Sequence, residues 1–356
     1  MPRSSMPSAL KAQLKDMLLT PTFMMCRPDF YDPSLEAHGA SVENEFMGQG
    51  IDREKTLEQW HSFKDKLEEL GAMILLVEPQ EGLLDQVYTA DPAAFHTGIK
   101  LNERGLIEQI NFQSLRSKFT NTERQKEANA HNKIVSGYIN VLKSTAYGII
   151  PTTSSSIANA QFNTEGSGDN VYDTYRGLWW SGFVQNPKDP NGGRSDIKAH
   201  DELEALTDRT VLSLEVMRPY FHIDTSTTPL PGGHVLSYAP GITKEAMEIM
   251  KKVALVDFGL PEDEYLIKVS KEDAEAFLCN LTAVNDKDLI VPHDTSEKAL
   301  SQLANAGYRP HPIDYSEIRK GGGLFHCTAN RINMIGPKGG IANDPDFYER
   351  IEMALS

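Results

Sequence analysis

A cysteine, a histidine and four carboxylates in the 356-residue chain each close a short apolar or glycine-rich run. Cys327 ends GGGLFHC (321–327), His222 and Asp224 lie in YFHID (220–224), Asp91 ends LLDQVYTAD, and Glu165 and Asp169 belong to TEGSGD (164–169). A cysteine attacks carbon as its thiolate, which needs a nearby positive charge or base, and a histidine from elsewhere in the chain is the usual partner. His222 fits that role. In an extended run residues i and i+2 share a face, so a strand through 220–224 would send His222 and Asp224 into one pocket. Glycines 321–323, read as a tightly turned strand end, would let backbone approach a ligand where a side chain could not. Lys320 in front of them lacks the spacing of a phosphate-binding loop.

Read singly, each of these residues also has a structural explanation. Free cysteine is among the most buried residue types. His222 could be a hydrogen-bonded core histidine, or could join Asp224 and His234 around a metal, although no HExxH motif or cysteine pair accompanies it. Asp91 and Glu165 could be solvated acids or helix caps. Together they point elsewhere. Several carboxylates around a thiol repel its thiolate, so they belong with it chiefly when a delocalised cation sits between them. A guanidinium is such a cation, because its planar fork satisfies carboxylates two bonds at a time.

Bringing these residues together requires a repeated scaffold. One unit recurs about five times: an amphipathic helix, a glycine or polar turn, a β-rich run, then a loop bearing polar residues. The clearest is TLEQWHSFKDKLEEL (56–70), closed by Gly71 ahead of AMILLVEP. The other helical stretches are 123–145, HDELEALTD, TKEAMEIMKKVALVDF and SEKALSQLANAG, followed by YGIIPTTSSSIANAQF, RTVLSLEVM, YLIKVS and YRPHPIDY. Marked by Gly71, Gly148, Thr210, Gly259 and Gly307, the units lie roughly 48 to 77 residues apart, the longest interval holding a polar insertion at about 100–127. A second insertion is expected at 181–193, around NPKDPNGGRSD. Helix and strand alternate without a linker long enough to separate domains, which predicts one α/β domain over 1–356. If five such units close around an axis, the residues at their strand ends meet at one point.

Composition limits the function. A chain that is 40% hydrophobic can bury a large core, and a net charge of −15 argues against binding along nucleic acid. No apolar run approaches the ~20 residues of a membrane helix, and MPRSSMPSALKAQLKD lacks the apolar segment of a secretory signal. Three cysteines without a CxxC pair make neither a disulfide framework nor a zinc site, so a reducing cytoplasm is expected.

The pattern resembles the guanidino-group-modifying enzymes of the pentein superfamily, which includes arginine deiminases, dimethylarginine dimethylaminohydrolases, arginine dihydrolases and amidinotransferases. The similarity runs from MMCRPDFYD (24–32) through LGAMILLVEPQEGLLDQVYTAD, EGSGD, GGRSD and YFHIDTSTTPLPGGHVLSYAP to IRKGGGLFHCT. It implies an α/β fold, a five-bladed propeller with the site at its centre. It implies Cys327 as nucleophile, His222 as general acid and base, Asp91 and Asp224 as the grip on the guanidinium, and Glu165 or Asp169 as the acid that orients the histidine or binds a substrate nitrogen. Ser167 holds the position that varies in the family's motif, and Asn163 and Thr164 replace its usual aromatic approach, so the choice between those two acids stays open. Arg194 in GGRSD resembles an arginine that holds an amino acid's α-carboxylate, with Arg27 and Arg319 as lesser candidates. The activity implied is hydrolysis of a guanidino compound to a ureido product such as citrulline through a covalent cysteine adduct, the alternative being amidino transfer to an amine. A small guanidino substrate, no metal or other cofactor, no nucleic-acid or membrane partner and a possible homo-oligomer complete the expectation. The competing readings are a metallohydrolase and a non-catalytic binder on the same scaffold.

Overall fold

The computed structural model describes residues 8–38, 44–184 and 194–356. Its strands form five three-stranded sheets of one design. They are β1 (Thr22–Cys26) and β2 (Met73–Val77); β3 (Ala93–Leu101), β4 (Ile107–Arg116) and β5 (Thr152–Asn159); β6 (Asn170–Asp173), β7 (Leu178–Phe183) and β8 (Val211–Glu215); β9 (Thr227–Pro229), β10 (Val235–Ser237) and β11 (Leu266–Lys268); β12 (Thr282–Ala283), β13 (Asp288–Pro292) and β14 (Arg309–Ile313); and finally β15 (Asn330–Arg331), which completes the first sheet in the order β15-β1-β2. In every sheet the middle strand pairs antiparallel with one neighbour and parallel with the other. A parallel pair needs a long crossover, and in each sheet a helix supplies it. Those helices are Arg53–Glu69, Thr122–Ala146, Lys198–Thr207, Lys244–Lys252 and Glu297–Asn305.

The first crossover explains its own boundaries. Asp52 caps it by accepting from the Lys55 amide, Trp60, Phe63 and Leu67 recur at helical spacing and are buried, and Gly71 ends the turn at φ +90°. Burying side chains of this size contributes about 2–3 kcal/mol each. These three lie in one of four apolar clusters, together with Phe325 and Cys327, so the same core that fixes this helix also fixes the thiol.

The sequence expectations need four corrections. Residues 100–127 are not an insertion: β3 and β4 form an antiparallel ladder, β4 being the middle strand of its sheet, and the crossover helix starts at Thr122. The buried Ile110, Phe112 and Leu115 are separated by Asn111, Gln113 and Ser114, whose side chains are also buried or half-buried, so the segment reads as polar. Of 181–193, residues 181–183 finish β7, and 185–193 lie outside the described residues. Asp91 follows turns rather than a strand, and His222 precedes a 3-10 turn at Ile223–Thr225. Cys327 sits in a one-turn helix, Phe325–Thr328, not on a strand end.

These corrections expose a rule. Each sheet has one edge strand preceded by a short turn or one-turn helix: Asp91 before β3, Gly166–Asp169 before β6, Ile223–Thr225 before β9, Leu278–Asn280 before β12, and Phe325–Thr328 before β15. Four of the five pack against one another, the Leu278–Asn280 turn touching both the 3-10 turn and the cysteine helix.

Candidate active site

The convergence places Cys327 Sγ, a ring nitrogen of His222 and a carboxylate oxygen of Asp91 within 4.8 Å of one another, all buried. Asp224 joins them, accepting the Cys327 thiol hydrogen at Oδ2 (3.3 Å). Asn280 completes the thiol's surroundings: Nδ2 donates to Sγ at 3.2 Å, while Oδ1 accepts the Leu324 amide (2.9 Å) and the Cys327 amide (3.3 Å). His326 Nδ1 lies 2.8 Å from Asp224 Oδ2, the oxygen the thiol also uses.

On the imidazole's far side, His222 Nε2 is 3.0 Å from Glu165 Oε2 and 3.9 Å from Asp169 Oδ2. Ser195 Oγ donates to Asp169 Oδ2 and accepts the Glu165 amide. That leaves His222 Nδ1 toward Asp91 Oδ1, 3.9 Å away. Gly168 makes the approach possible, since a Cβ there would stand 2.7 Å from His222 Nδ1 and 2.9 Å from Asp91 Oδ1. Arg124 Nη2 holds the other Asp91 oxygen at 2.6 Å, and Arg124 Nε pairs with Glu127 at 2.8 Å. A narrow cleft opens here, lined by Asp85, Tyr88, Asp91, Arg124, Arg194, His222, Cys327 and the three glycines among others. Those glycines do permit a close approach, but to protein: a Cβ at Gly321 would lie 2.2 Å from the Tyr88 hydroxyl.

Charge distribution follows from burial. Burial and the charges of Asp224 and Asp91 push the Cys327 thiol well above its ordinary range. Burial opposes the charge on His222, but Asp169, Asp91 and Glu165 outweigh it and raise the imidazole to about 9. Asp169 is carried up by burial to about 7 although His222 pulls the other way, and burial raises Asp91 too. For Glu165, Arg194 and His222 overcome burial and hold the carboxyl well below its usual range. At neutral pH these groups by themselves therefore pair an imidazolium with a neutral thiol.

All six residues anticipated at strand ends, Asp91, Glu165, Asp169, His222, Asp224 and Cys327, are brought together. Arg194 lines the same cleft, and its Nη1 donates to Glu165 at 3.0 Å. Arg27 and Arg319 do not line the cleft; Arg27 pairs with Asp29 and Arg319 with Asp294. His234 bonds the Tyr308 hydroxyl (3.0 Å), so the set His222, Asp224 and His234 is not assembled among the described residues. The carboxylate, imidazole and thiol of Asp91, His222 and Cys327 are a donor set that could take a metal ion. Sequence reading missed Arg124, Asn280 and His326. Asn280 and His326 stand within CNLTAVND and GGGLFHC, and only the fold shows that Asn280 precedes the edge strand of the one sheet left without a site residue.

No protein-family model matches the chain. It is 27% identical over 314 residues to the bifunctional arginine dihydrolase/ornithine cyclodeaminase ArgZ of Synechocystis sp., covering 87% of this chain and 37% of that protein. The chain thus spans little more than a third of this bifunctional relative. It is also 27% identical over 284 residues to the N(G),N(G)-dimethylarginine dimethylaminohydrolase of Mycobacterium tuberculosis, covering 80% and 78% of the two chains. Among solved structures, the N-terminal domain of ArgZ covalently bound to a reaction intermediate superposes with a TM-score of 0.68 at 25% identity, over 89% of this chain and all of that one. The dimethylarginine dimethylaminohydrolase of Pseudomonas aeruginosa shares the fold, with a TM-score of 0.59 at 16% identity over 88% and 99% of the two chains. With this fold and these relatives around its cluster of thiol, imidazole and acids, the chain shares the pentein fold and is similar over most of its length to guanidino-group-modifying enzymes of that superfamily.

Proposed function

We propose that this protein is a cysteine-dependent hydrolase acting on the C–N bond of a guanidino compound, folded as one five-bladed α/β propeller domain. One observation carries the reading. Asp91 Oδ1 and Asp224 Oδ1 are buried acceptors without a hydrogen-bonding partner among the described residues, and both carboxyl groups reach within 4.8 Å of the Cys327 sulfur. Orphaned buried acceptors are costly, and a flat cation rich in N–H groups satisfies them.

Arrival of a guanidinium offsets the acids that oppose the thiolate. The thiol proton passes to Asp224, its acceptor at 3.3 Å, and the sulfur attacks the guanidinium carbon, forming a C–S bond and a tetrahedral intermediate. Asp91 and Asp224 hold the planar group at attacking distance. His222, fixed at Nε2 by Glu165, gives the Nδ1 proton to the departing nitrogen. Ammonia or an amine leaves, and a thiouronium remains on Cys327. The now neutral imidazole takes a proton from water, hydroxide adds to the carbon, and the C–S bond breaks as Asp224 returns the proton to sulfur and the added hydroxyl gives its proton to solvent, releasing the neutral ureido product. Glu165 rather than Asp169 orients the histidine, being 3.0 Å from it against 3.9 Å. The relative ArgZ is described both covalently bound to a reaction intermediate and, with a cysteine replaced by serine, bound to substrate, which supports the covalent route.

The test is incubation with a panel of guanidino compounds, with and without amine acceptors, reading ureido product, ammonia and transferred amidine by mass. Wild-type protein is expected to form ureido product and Cys327→Ser to bind without turning over. Citrulline formation by C327S at the normal rate would exclude the covalent scheme, and amidine on the acceptor would make the protein a transferase.

A further inference from the structure

β6 leaves the candidate active site at Asp169 and turns after Asp173 toward the start of β7 at Leu178. Beside that far turn lies a surface cavity of about 520 Å³, a size within the roughly 300–1,000 Å³ of small-molecule sites. Leu178, Leu212, Val253 and Phe258 line it with apolar surface. Arg209 lines it too, and its guanidinium lacks a counter-charge. Of the three buried arginines among the described residues, Arg124 has a carboxylate oxygen at 2.6 Å and Arg176 one at 2.7 Å. Arg209, 8% exposed, has only neutral oxygens: the Tyr172 hydroxyl at 3.4 Å, the Asp208 carbonyl at 3.1 Å and the Gly336 carbonyl at 3.3 Å. The Asp208 carboxylate pairs instead with Lys338 at 2.7 Å. We propose that this cavity is a second ligand site, separate from the cysteine cleft, which takes a small monocarboxylate with a short apolar body and seats the carboxylate on Arg209.

A buried cation without an opposite charge is costly, and an anionic ligand supplies the charge that the surrounding protein withholds. Three of the five guanidinium N–H groups are spent on neutral oxygens, which leaves two for a carboxylate. Arg176 lines the same cavity, and its buried Nε has no hydrogen-bonding partner among the described residues, so N–H groups of both arginines are left unsatisfied here. As a structural bridge alone, a neutral amide at position 209 would bond such oxygens without burying a charge. The rest of the lining selects among anions. Lys338 offsets Asp208, but Glu204 and Asp257 also line the cavity, so a dianion such as phosphate would meet two like charges beside one open cation. A monocarboxylate brings a single charge, and its hydrocarbon covers the apolar lining. The same two acids favour an ammonium, so an aliphatic α-amino acid, carrying both charges, fits better than a plain carboxylic acid. The placement does not depend on the hydrolase reading.

The test is calorimetric titration of the full chain with L-leucine, 4-methylpentanoate, 3-methylbutylamine and inorganic phosphate. Saturable binding of leucine or 4-methylpentanoate is expected; leucine the tighter identifies an amino acid as the source, 4-methylpentanoate the tighter a simple acid. The amine, which is leucine without its carboxylate, and phosphate should not bind. Arg209→Gln should weaken the carboxylates by about 10- to 100-fold, the range for lost charge-assisted hydrogen bonds. Thr210→Trp, at an exposed position of the cavity lining, fills the space without removing the cation and should abolish binding, and it decides the matter if R209Q does not fold. Cys327→Ser should bind as the wild type does. The proposal is overturned by absence of saturable binding of either acid up to ~10 mM, by equal binding of the amine or phosphate, or by carboxylate binding that survives T210W. Binding that is lost in C327S would assign the ligand to the cysteine cleft and overturn it as well.

Discussion

Gly168 is the sharpest place to test whether the separation of His222 and Asp91 matters. An alanine there would set its Cβ 2.7 Å from His222 Nδ1, 2.9 Å from Asp91 Oδ1 and 3.0 Å from His222 Cε1, where ordinary contact begins at 3.4 Å. The backbone at Gly168 is not in the left-handed region, so the added methyl acts through contact rather than through strain. Both groups must retreat, the imidazole by roughly 0.7 Å and the carboxylate by roughly 0.5 Å. Glu165 and the surrounding core hold the ring from behind, so the displacement falls on the atom that exchanges protons. A misplacement of about 1 Å costs on the order of 100-fold in rate, and G168A is expected to lose that much kcat on the best substrate of the guanidine panel. Gly137, inside the helix Thr122–Ala146 with nothing within 4 Å of its Cβ position, supplies the control: G137A should keep full activity and gain up to about 1 kcal/mol in urea unfolding. Wild-type kcat in G168A, with the fold intact by thermal melting, would refute the argument that this approach is catalytic.

Three further outcomes can be measured. His222 is raised in the folded chain, so its contribution to stability is full below its ordinary value near 6.5 and is lost as pH climbs toward 9; relative to H222Q, wild-type melting temperature should fall across that window. Arg176 is fully buried, donating to Asp173 Oδ2 (2.7 Å) and to the Gly233 carbonyl (2.6 Å), so Arg176→Met should cost about 3–5 kcal/mol in urea unfolding by stranding the Asp173 charge. Thiolate absorbance at 240 nm should be absent from free protein at pH 7, appear on adding an unreactive alkylguanidinium, and vanish in C327S; absorbance independent of the ligand would contradict the charge argument.

What could be read in advance depended on where each signal resides. The crossover helix at Arg53–Glu69 was legible because Trp60, Phe63 and Leu67 repeat at 3.6-residue spacing between an Asp cap and a glycine stop. The strand β4 was not, because Asn111 spends its polar side chain on Ser154 and Ser156 and Gln113 on His96 and the Leu206 carbonyl, so these residues occupy a packed sheet while looking solvated. Cys327, His222 and Asp224 were recognisable through side chains that announce reactivity. Asn280 was not, since an amide serves equally well in any turn, and its contact with sulfur joins segments 47 residues apart. Arg124 lies in a run of charges that local patterning reads as a solvated helix entrance, and only the buried Asp91 reveals its task.

The assembled charges make sense only as one system. Burial, Asp91 and Asp224 oppose a thiolate at Cys327, and the neighbouring acids favour the imidazolium of His222, so the site by itself stores its proton on nitrogen and keeps its sulfur quiet. Arg124 and Arg194 each pair with one acid, Asp91 and Glu165. Asp91 Oδ1 and Asp224 Oδ1 remain without a hydrogen-bonding partner among the described residues. A neutral ligand would not relieve them, and a compact ammonium, a point charge with three donors, would satisfy fewer acceptors than a guanidinium with five. In the proposed function, selectivity for a planar cation and activation of the nucleophile are therefore the same event: the ligand that satisfies those oxygens is the one that permits the sulfur to ionise.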